Sequence, residues 1–358
     1  MPPPLPPPDH SAGGYTLVST PAELQAMLDV LAFARAATAT AAGPGPWQGT
    51  AAVAAAAGGA AEAPAGAARS RSGGGPGLGP LAVDCEGVDL GRPGGRLCLL
   101  QLSARVGGGR SGRGLSIWLV DVEALGPRAF STRAARDGAT SLQSLLEDPA
   151  VTKYLYDARS DAAALVSQFG LRLRGVWDLQ LADVAARQAE EGRRAGSWVQ
   201  GLVAALSRAL AADAWGGAAA GSAPPRGRMK EDLAAAVSTA KRYHDSGKTQ
   251  IWAARPLTPE LCEYAATDVR YLHALADALA PRLSRELAEQ VSTESHRRTL
   301  SQGPNNRDAR AAAPAFVTRP ADGAGPAGGG AGGGRGDKAA TVPYMGLMEW
   351  LTAALLVR

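Results

Sequence analysis

The chain has few of the residues from which disulfide frameworks and zinc sites are built. Its 358 residues include three cysteines and four histidines, and Cys85, Cys98 and Cys262 form no Cys-x-x-Cys pair. An odd and dispersed set of cysteines argues against both kinds of site and favours buried thiols in a reducing compartment. We therefore expect an intracellular protein, in the nucleus or the cytoplasm.

Long apolar runs and a secretory leader are also missing. Gly and Pro interrupt the alanine-rich runs, so no stretch approaches the ~20 strongly apolar residues that a membrane span needs. The first residues, MPPPLPPP, have neither the basic nor the apolar region of a signal peptide. We predict no association with a membrane.

Glycine and alanine, by contrast, are abundant, and much of the excess lies in runs of small residues and proline. Such runs bury too little apolar surface to offset the entropy lost on ordering, so we expect them to be disordered. We predict one folded domain over 14–290 that these segments flank and interrupt. They are a Pro-rich start at 1–13, insertions at about 42–80 and 215–227, and a tail over 291–358 with a short helix near its end.

The chain is mildly basic, with a formal net charge of +4 and a pI of about 9.1. This charge permits a nucleic-acid partner without requiring one. Several basic residues in the second half either contact phosphates independently of sequence or belong to ordinary solvated helix faces. They are Arg187, Arg193, Arg194, Arg226, Arg228, Lys230, Lys241, Arg242 and Lys248.

Apolar patterning predicts an α/β domain with a mixed sheet. The predicted strands are Tyr15–Val18, Leu81–Asp84, Arg96–Leu102, Leu115–Val122 and Val151–Tyr156. The predicted helices are one that starts at Pro21 and others at 141–146, 160–169, 179–187, 198–210, 231–243 and 259–280. Short links between the middle three strands indicate an antiparallel meander.

Two acids, Asp84 and Glu86, follow an apolar run at the end of a predicted strand. Residues i and i+2 of a strand face the same side, so the two carboxylates repel each other unless a cation lies between them. The alternative is a solvated strand end, which needs no cation. Taken alone, this pair does not decide between the two.

A third acid, Asp268, falls on the apolar stripe of the predicted helix 259–280, between Ala265 and Leu272. A carboxylate on a core-facing stripe needs a partner, which is either a metal ion or an Arg or backbone amide that holds it. Tyr264 lies four residues earlier, so its ring shares a face with Asp268.

A fourth acid, Asp161, lies in the first turn of a predicted helix, where the helix dipole alone favours an acid. Asp157 competes with it for a functional role, and Asp178 is expected mainly to cap the next helix. Together, the four acids predict a site for Mg²⁺ or Mn²⁺, which prefer oxygen ligands. Converging carboxylates of this kind hold the two ions of phosphodiester hydrolases, and Tyr264 would orient or deprotonate the attacking water.

These segments resemble the motifs of the DEDD superfamily of 3′-5′ exonucleases over roughly residues 14–285. A tyrosine four residues before the last acid marks the DEDDy branch; the DEDDh branch would have His where this chain has Glu263. The nearest relatives resemble RNase D-type and Egalitarian-like exonuclease domains. The matching segments are Asp84-Cys85-Glu86-Gly87, KYLYDARSDAAALVSQFG with Asp161, WDLQLADVA, and RPLTPELCEYAATDVRYL with Tyr264 and Asp268.

The resemblance implies an RNase H-like exonuclease fold that removes nucleotides from the 3′ end of single-stranded nucleic acid, RNA more than DNA. It implies that Asp84, Glu86 and Asp268 bind one metal ion. Asp84 would bridge to a second ion, which Asp161 would reach through a water, and Tyr264 would position the nucleophile.

Two rival functions stay open at this point. Some Egalitarian-like relatives have lost catalytic acids and act as RNA-binding adaptors; the intact acids here argue against that role, while the low-complexity arms argue for it. A ribonuclease H-like endonuclease is the other rival, and the pair Tyr264 and Asp268 disfavours it.

Overall fold

The computed structural model describes residues 14–39, 78–109, 112–192, 198–211, 226–244, 249–300 and 316. The predictions for the Pro-rich start, for most of the two insertions and for the C-terminal short helix lie outside these residues. Within them, a six-stranded mixed sheet carries helices on both faces, so the predicted fold class is confirmed.

The sheet has the strand order β1-β4-β3-β2-β5-β6. Strands β2, β3 and β4 are antiparallel, as predicted, whereas β1 runs parallel to β4, and β5 and β6 run parallel to β2. The strands are β1 Thr16–Val18, β2 Leu81–Val88, β3 Arg96–Gly109, β4 Gly112–Asp121, β5 Lys153–Leu155 and β6 Val176–Asp178.

Helices precede, connect and follow these strands. They are α1 Pro21–Ala39, α2 Val122–Leu125, α3 Arg128–Ser131, α4 Leu142–Glu147, α5 Arg159–Phe169, α6 Leu179–Glu191, α7 Leu202–Ala211, α8 Arg226–His244, α9 Pro259–Arg270, α10 Leu272–Leu279 and α11 Arg285–Leu300. Short 3-10 helices cover Thr249–Ala253 and Ala280–Arg282. Among the described residues, no helix is both long enough and apolar enough to cross a membrane.

Local capping signals set where two of these helices begin. The Thr20 hydroxyl accepts from the Glu23 N–H, and the Glu23 carboxylate accepts from the Thr20 N–H at 2.9 Å, so the two residues form a capping box at the start of α1. At α9, the Thr258 hydroxyl accepts from the Leu261 N–H and Pro259 occupies the first helical position. This cap fixes the start of the helix that carries Tyr264 and Asp268.

The core forms two layers, one on each face of the sheet. Helices α1, α4 and α5 cover one face, where Val83 and Leu100 are buried. Helices α6 to α11 cover the other, where Ala82 and Leu99 are buried. Alternate residues of β2 and β3 therefore face opposite layers, and both layers are apolar.

Three features of the elements differ from the predictions. A sixth strand was not predicted, yet Trp177 and Asp178 pair in parallel with β5; Asp178 also caps α6, as predicted, because its carboxylate accepts from the Gln180 N–H. The predicted helix 259–280 is two helices, since the backbone leaves helical geometry at Tyr271 (φ −105°, ψ −2°). The predicted second insertion ends too late, because α8 already begins at Arg226.

The predicted end of the domain at residue 290 also needs correction, because it falls inside α11. This helix packs against β6, α5 and α6, and the buried residues Val291, Ser295 and Arg298 all lie beyond residue 290. Phe316 is also buried, and its N–H donates to the Gln188 side chain at 2.9 Å. The domain therefore extends at least to Leu300.

Candidate metal centre and active site

Strand β2 places Asp84 and Glu86 on the face of the sheet that α9 covers. Both are half-buried. The register of β2 against β3 shifts between Glu86 and Gly87, and a Cβ atom at Gly87 would lie 2.0 Å from the Arg96 carbonyl oxygen. Only glycine permits this close approach directly after the second acid.

Helix α9 brings Tyr264 and Asp268 to the same place. It packs on β2, β3 and β4, with Leu261, Ala265 and Val269 buried against the sheet. The Ser103 hydroxyl of β3 donates to the Val269 carbonyl at 2.9 Å, which ties the helix to the sheet one residue after the acid.

The structure brings three of the four predicted acids together. Asp84, Glu86 and Asp268 each offer a carboxylate oxygen, and these oxygens lie within 4.8 Å of one another. Asp161 lies outside this group, yet its charge acts on Glu86 and Asp268. Within the described parts of the chain, none of the four forms an ion pair with Lys or Arg. The alternative in which an Arg holds Asp268 is therefore not supported.

The electrostatics of the cluster reflect burial without a positive partner. Burial raises the pKa of Asp84 to about 7. Burial, and then the charges of Asp84, Asp268 and Asp161, hold the pKa of Glu86 well above its usual range. Burial and the charge of Asp84 likewise raise the pKa of Asp161 and of Asp268. A bound cation would remove this penalty by stabilising the ionised forms.

Asp161 and its competitor Asp157 differ sharply in their surroundings. Asp161 is buried in the first turn of α5, and the Cys85 thiol donates to its carboxylate. Asp157 instead binds Arg159 at 2.6 Å through both carboxylate oxygens, and this pairing lowers its pKa. Asp157 is therefore engaged in a structural ion pair, whereas Asp161 has no ion pair among the described residues and is influenced by the charge of Asp84.

The hydroxyl of Tyr264 is close to the acids. Burial, followed by the charges of Asp268, Glu86 and Asp84, raises its pKa well above 10. The phenol therefore stays protonated at neutral pH. Its ring lies 6.1 Å from that of Trp252, which is buried in the 3-10 turn before α9.

A buried ion pair anchors that 3-10 turn. The guanidinium of Arg255 donates to both carboxylate oxygens of Asp121 at 2.6 Å and to the Trp252 carbonyl at 2.7 Å. Bidentate pairs of this kind are among the stronger polar contacts in proteins. The pair links the end of β4 to the aromatic neighbour of Tyr264.

Part of the predicted phosphate-binding set has another role. Arg187 is 2% exposed and pairs with Asp183 at 3.0 Å, so it cannot reach a phosphate in solvent. Lys230 and Arg228 are exposed on α8, and Arg242 pairs with Glu260. Arg193, Arg194 and Lys248 lie outside the described residues, as do the side chains of Arg226 and Lys241.

Sequence reasoning missed Gln101 and Arg298. Gln101 lies opposite Asp84 in the sheet and is fully buried; its signal was one amide within the leucine-rich strand LCLLQLS. Arg298 of α11 binds Asp178 at 2.8 Å beside the turn that leads into α5. Its signal was one arginine on the face of α11 that also carries Leu287 and Val291.

The acid cluster predicts how stability depends on pH when no metal is present. A carboxyl whose folded pKa is raised binds more protons in the folded than in the unfolded protein, so stability falls as pH rises through that window. For Asp84 the window runs from its ordinary 3.8 to about 7. We expect the melting temperature in EDTA to fall as the pH rises from about 4 to about 7, which is that window, and to fall less steeply in Asp84→Asn. Parallel curves for the two proteins would contradict this account.

Comparison with known proteins shows what this chain is similar to. Residues 75–202 match the family model described as a 3′-5′ exonuclease. The chain is similar to the piRNA biogenesis protein EXD1 of Mus musculus, with 28% identity over 242 residues, which are 68% of this chain and 36% of that protein. For the Homo sapiens protein of the same name the identity is 26% over 211 residues, 59% of this chain and 34% of that protein.

The chain thus spans about a third of the length of these curated relatives. Among solved structures it is similar to Trypanosoma brucei RNase D in complex with GMP, with a TM-score of 0.49 and 21% identity over 81% of this chain and 65% of that chain. The matched residues 75–202 include Asp84, Glu86 and Asp161. Residues 75–202 are thus similar to a 3′-5′ exonuclease domain, in agreement with the resemblance of the sequence motifs to that class.

Proposed function

We propose that this protein is an active, metal-dependent 3′-5′ exonuclease that hydrolyses phosphodiester bonds from a single-stranded 3′ end, with RNA as the favoured substrate. The observation that carries the proposal is the cluster of Asp84, Glu86 and Asp268, with carboxylate oxygens within 4.8 Å of one another. These acids have no cationic partner among the described residues, and a protonated tyrosine lies beside them.

The cluster fits hard divalent cations. All of its ligand atoms are carboxylate oxygens, which suit Mg²⁺ and Mn²⁺, and the described residues offer no nearby set of His and Cys ligands that would favour zinc. Asp84, Glu86 and Asp268 would hold one ion, and Asp84 with Asp161 would hold a second. The bound ions would stabilise charge on the attacking and leaving oxygens of the phosphodiester.

The protein's own side chains orient the attacking water and the acidic ligands. The hydroxyl of Tyr264 orients the attacking water by hydrogen bonding. Burial of its ring against Trp252 holds the hydroxyl at the acids. The Thr258 cap and the contact of Ser103 with Val269 fix the helix that presents Asp268.

RNA is favoured because the curated relatives are named for piRNA biogenesis. Those names do not distinguish an enzyme from an adaptor, because taking part in biogenesis does not by itself require cleavage. The intact acid cluster favours the enzyme. An intracellular place of action, in the nucleus or the cytoplasm, is consistent with an RNA substrate.

A digest of end-labelled oligonucleotides tests the proposal. Single-stranded RNA and DNA of one sequence, labelled at either end, are incubated with Mg²⁺, Mn²⁺ or EDTA. We expect the 3′ label to appear at once as a mononucleotide and the 5′ label to shorten stepwise. EDTA should abolish both products because the phosphodiester charge is then uncompensated.

Asp84→Asn is the control for a contaminating nuclease, because it removes one carboxylate and keeps the side chain's shape. It should be inactive yet folded. Internal cleavage products from both labels would favour the endonuclease. Binding of RNA without cleavage of RNA or DNA by either metal would replace the proposal with the adaptor function.

A further inference from the structure

Gln101 lies in the centre of the sheet beside the acid cluster. It is directly opposite Asp84 in the antiparallel register of β2 and β3, and its exposure is 0%. Side chains directly opposite each other share a face, with Cβ atoms about 4.5–5.5 Å apart. The shared face is the one that α9 covers, because Ser103, two residues further along β3, donates to the Val269 carbonyl.

The side-chain amide of Gln101 has no hydrogen-bond partner. Its Oε1 and Nε2 are both shielded from solvent, and they are the only buried side-chain atoms of this kind in the described part of the chain. Other polar groups on the same face are engaged, Ser103 with Val269 and Asp121 with Arg255. A buried amide without partners destabilises a fold, so this group does not contribute to the stability of the metal-free protein.

Asp84, in turn, has acceptor capacity to spare. Its carboxylate accepts from the backbone N–H of Cys85, whereas a carboxylate offers about four acceptor positions. In metal centres, the oxygen that is not on the ion is commonly held by an outer hydrogen-bond donor, which fixes the orientation of the ligand. A neutral amide supplies such a donor without a positive charge that would compete with the cation.

We propose that Gln101 is a positioning residue for the metal centre, whose Nε2 donates to the Asp84 carboxylate when that carboxylate binds a metal ion. The assignment rests on the proposed function, because it requires an ion at the acid cluster. It also implies that the protein is less stable without metal than it would be with an apolar residue at this position.

The test compares Gln101→Met with Ser141→Ala in the full chain. Met keeps the length of the side chain and removes both polar atoms. We expect the metal-free melting temperature of Gln101→Met to stay equal or rise. Its dissociation constant for Mn²⁺, measured by calorimetry without substrate, should increase by roughly 10–100-fold. Ser141→Ala removes the satisfied side-chain cap of α4, which covers the opposite face of the sheet from the acids, so its melting temperature should fall while its Mn²⁺ affinity is unchanged.

The outcomes separate this inference from the proposed function. A lower metal-free melting temperature in Gln101→Met, with unchanged Mn²⁺ affinity, would make Gln101 a structural core residue and overturn the assignment. Gln101→Val, a smaller apolar replacement, gives the same comparison if Met is too bulky to fold. If the unmodified protein binds no Mn²⁺ and cleaves neither nucleic acid, the proposed function itself fails, and the assignment of Gln101 fails with it.

Discussion

Replacing Tyr264 with Phe should lower kcat for 3′-end cleavage by roughly 10²–10⁴-fold, the span typical of a positioned acid–base group. The change removes one hydroxyl and keeps the ring, so the packing against Trp252 should persist. The hydroxyl lies beside three carboxylates and stays protonated, so its effect on the attacking water belongs to the transition state. Single-turnover cleavage of a labelled oligonucleotide measures this step directly.

The affinity for substrate should change little, because loss of an interaction made mainly in the transition state lowers kcat and kcat/KM together. Tyr271→Phe is a matched control. Its hydroxyl is also buried, seven residues further along, and donates to Asp232 away from the acids. We expect this control to lose stability and to keep its cleavage rate. Unchanged single-turnover cleavage in Tyr264→Phe would make Tyr264 a core aromatic only.

Much of the fold could be predicted because its signals are local. The capping residues Thr20 and Thr258 marked two helix starts correctly. The acid on the apolar stripe of α9 indicated that Asp268 faces the core rather than solvent, and the structure places it with Asp84 and Glu86. In each case, residues within one or two turns carry the whole signal.

Features that depend on distant partners could not be predicted in the same way. Strand β3 is buried on both faces, and such strands lose the alternation of polar and apolar residues. Nothing local therefore indicated that Gln101 lies opposite Asp84. Strand β6 is only three residues long, too short for any periodic pattern, and it is defined by its pairing with β5.

The helix α11 was missed as part of the domain because its buried face is partly polar. Leu287, Ala288 and Val291 are followed on that face by Ser295 and Arg298. A stripe that ends in serine and arginine has the composition of a solvated surface. These two residues are buried because both contact one buried acidic residue that lies more than a hundred residues earlier in the chain. Arg298 donates to its carboxylate, and the Ser295 hydroxyl accepts from its backbone N–H.

That acid is Asp178, which is 0% exposed and organises the turn before α5. Its carboxylate accepts from the backbone N–H groups of Asp157 and Ala158, both at 3.1 Å, and from Arg298 at 2.8 Å. Asp157 has a left-handed backbone (φ 67°), which a residue with a Cβ adopts only at a cost in energy. The network around Asp178 holds this turn, and the helix that follows it carries Asp161.

Replacing Arg298 with Met should therefore lower the free energy of unfolding by about 3 kcal/mol, as expected when a buried ion pair loses one partner. The loss should lie at the lower end of that range because backbone N–H groups still donate to Asp178. Arg297→Met is the neighbouring control. Arg297 is exposed and pairs with Glu294 on the helix surface, so its replacement should change stability by less than about 0.5 kcal/mol.

Urea denaturation of both variants gives the two free energies under one set of conditions. At a temperature where both are folded, Arg298→Met should also cleave more slowly than Arg297→Met, because the turn that leads to Asp161 has lost a support. Metal-free denaturation should show the same difference in stability, since the network around Asp178 contains none of the clustered acids. If the two variants are equally stable, α11 only covers the surface, and the domain can end near residue 290 without loss.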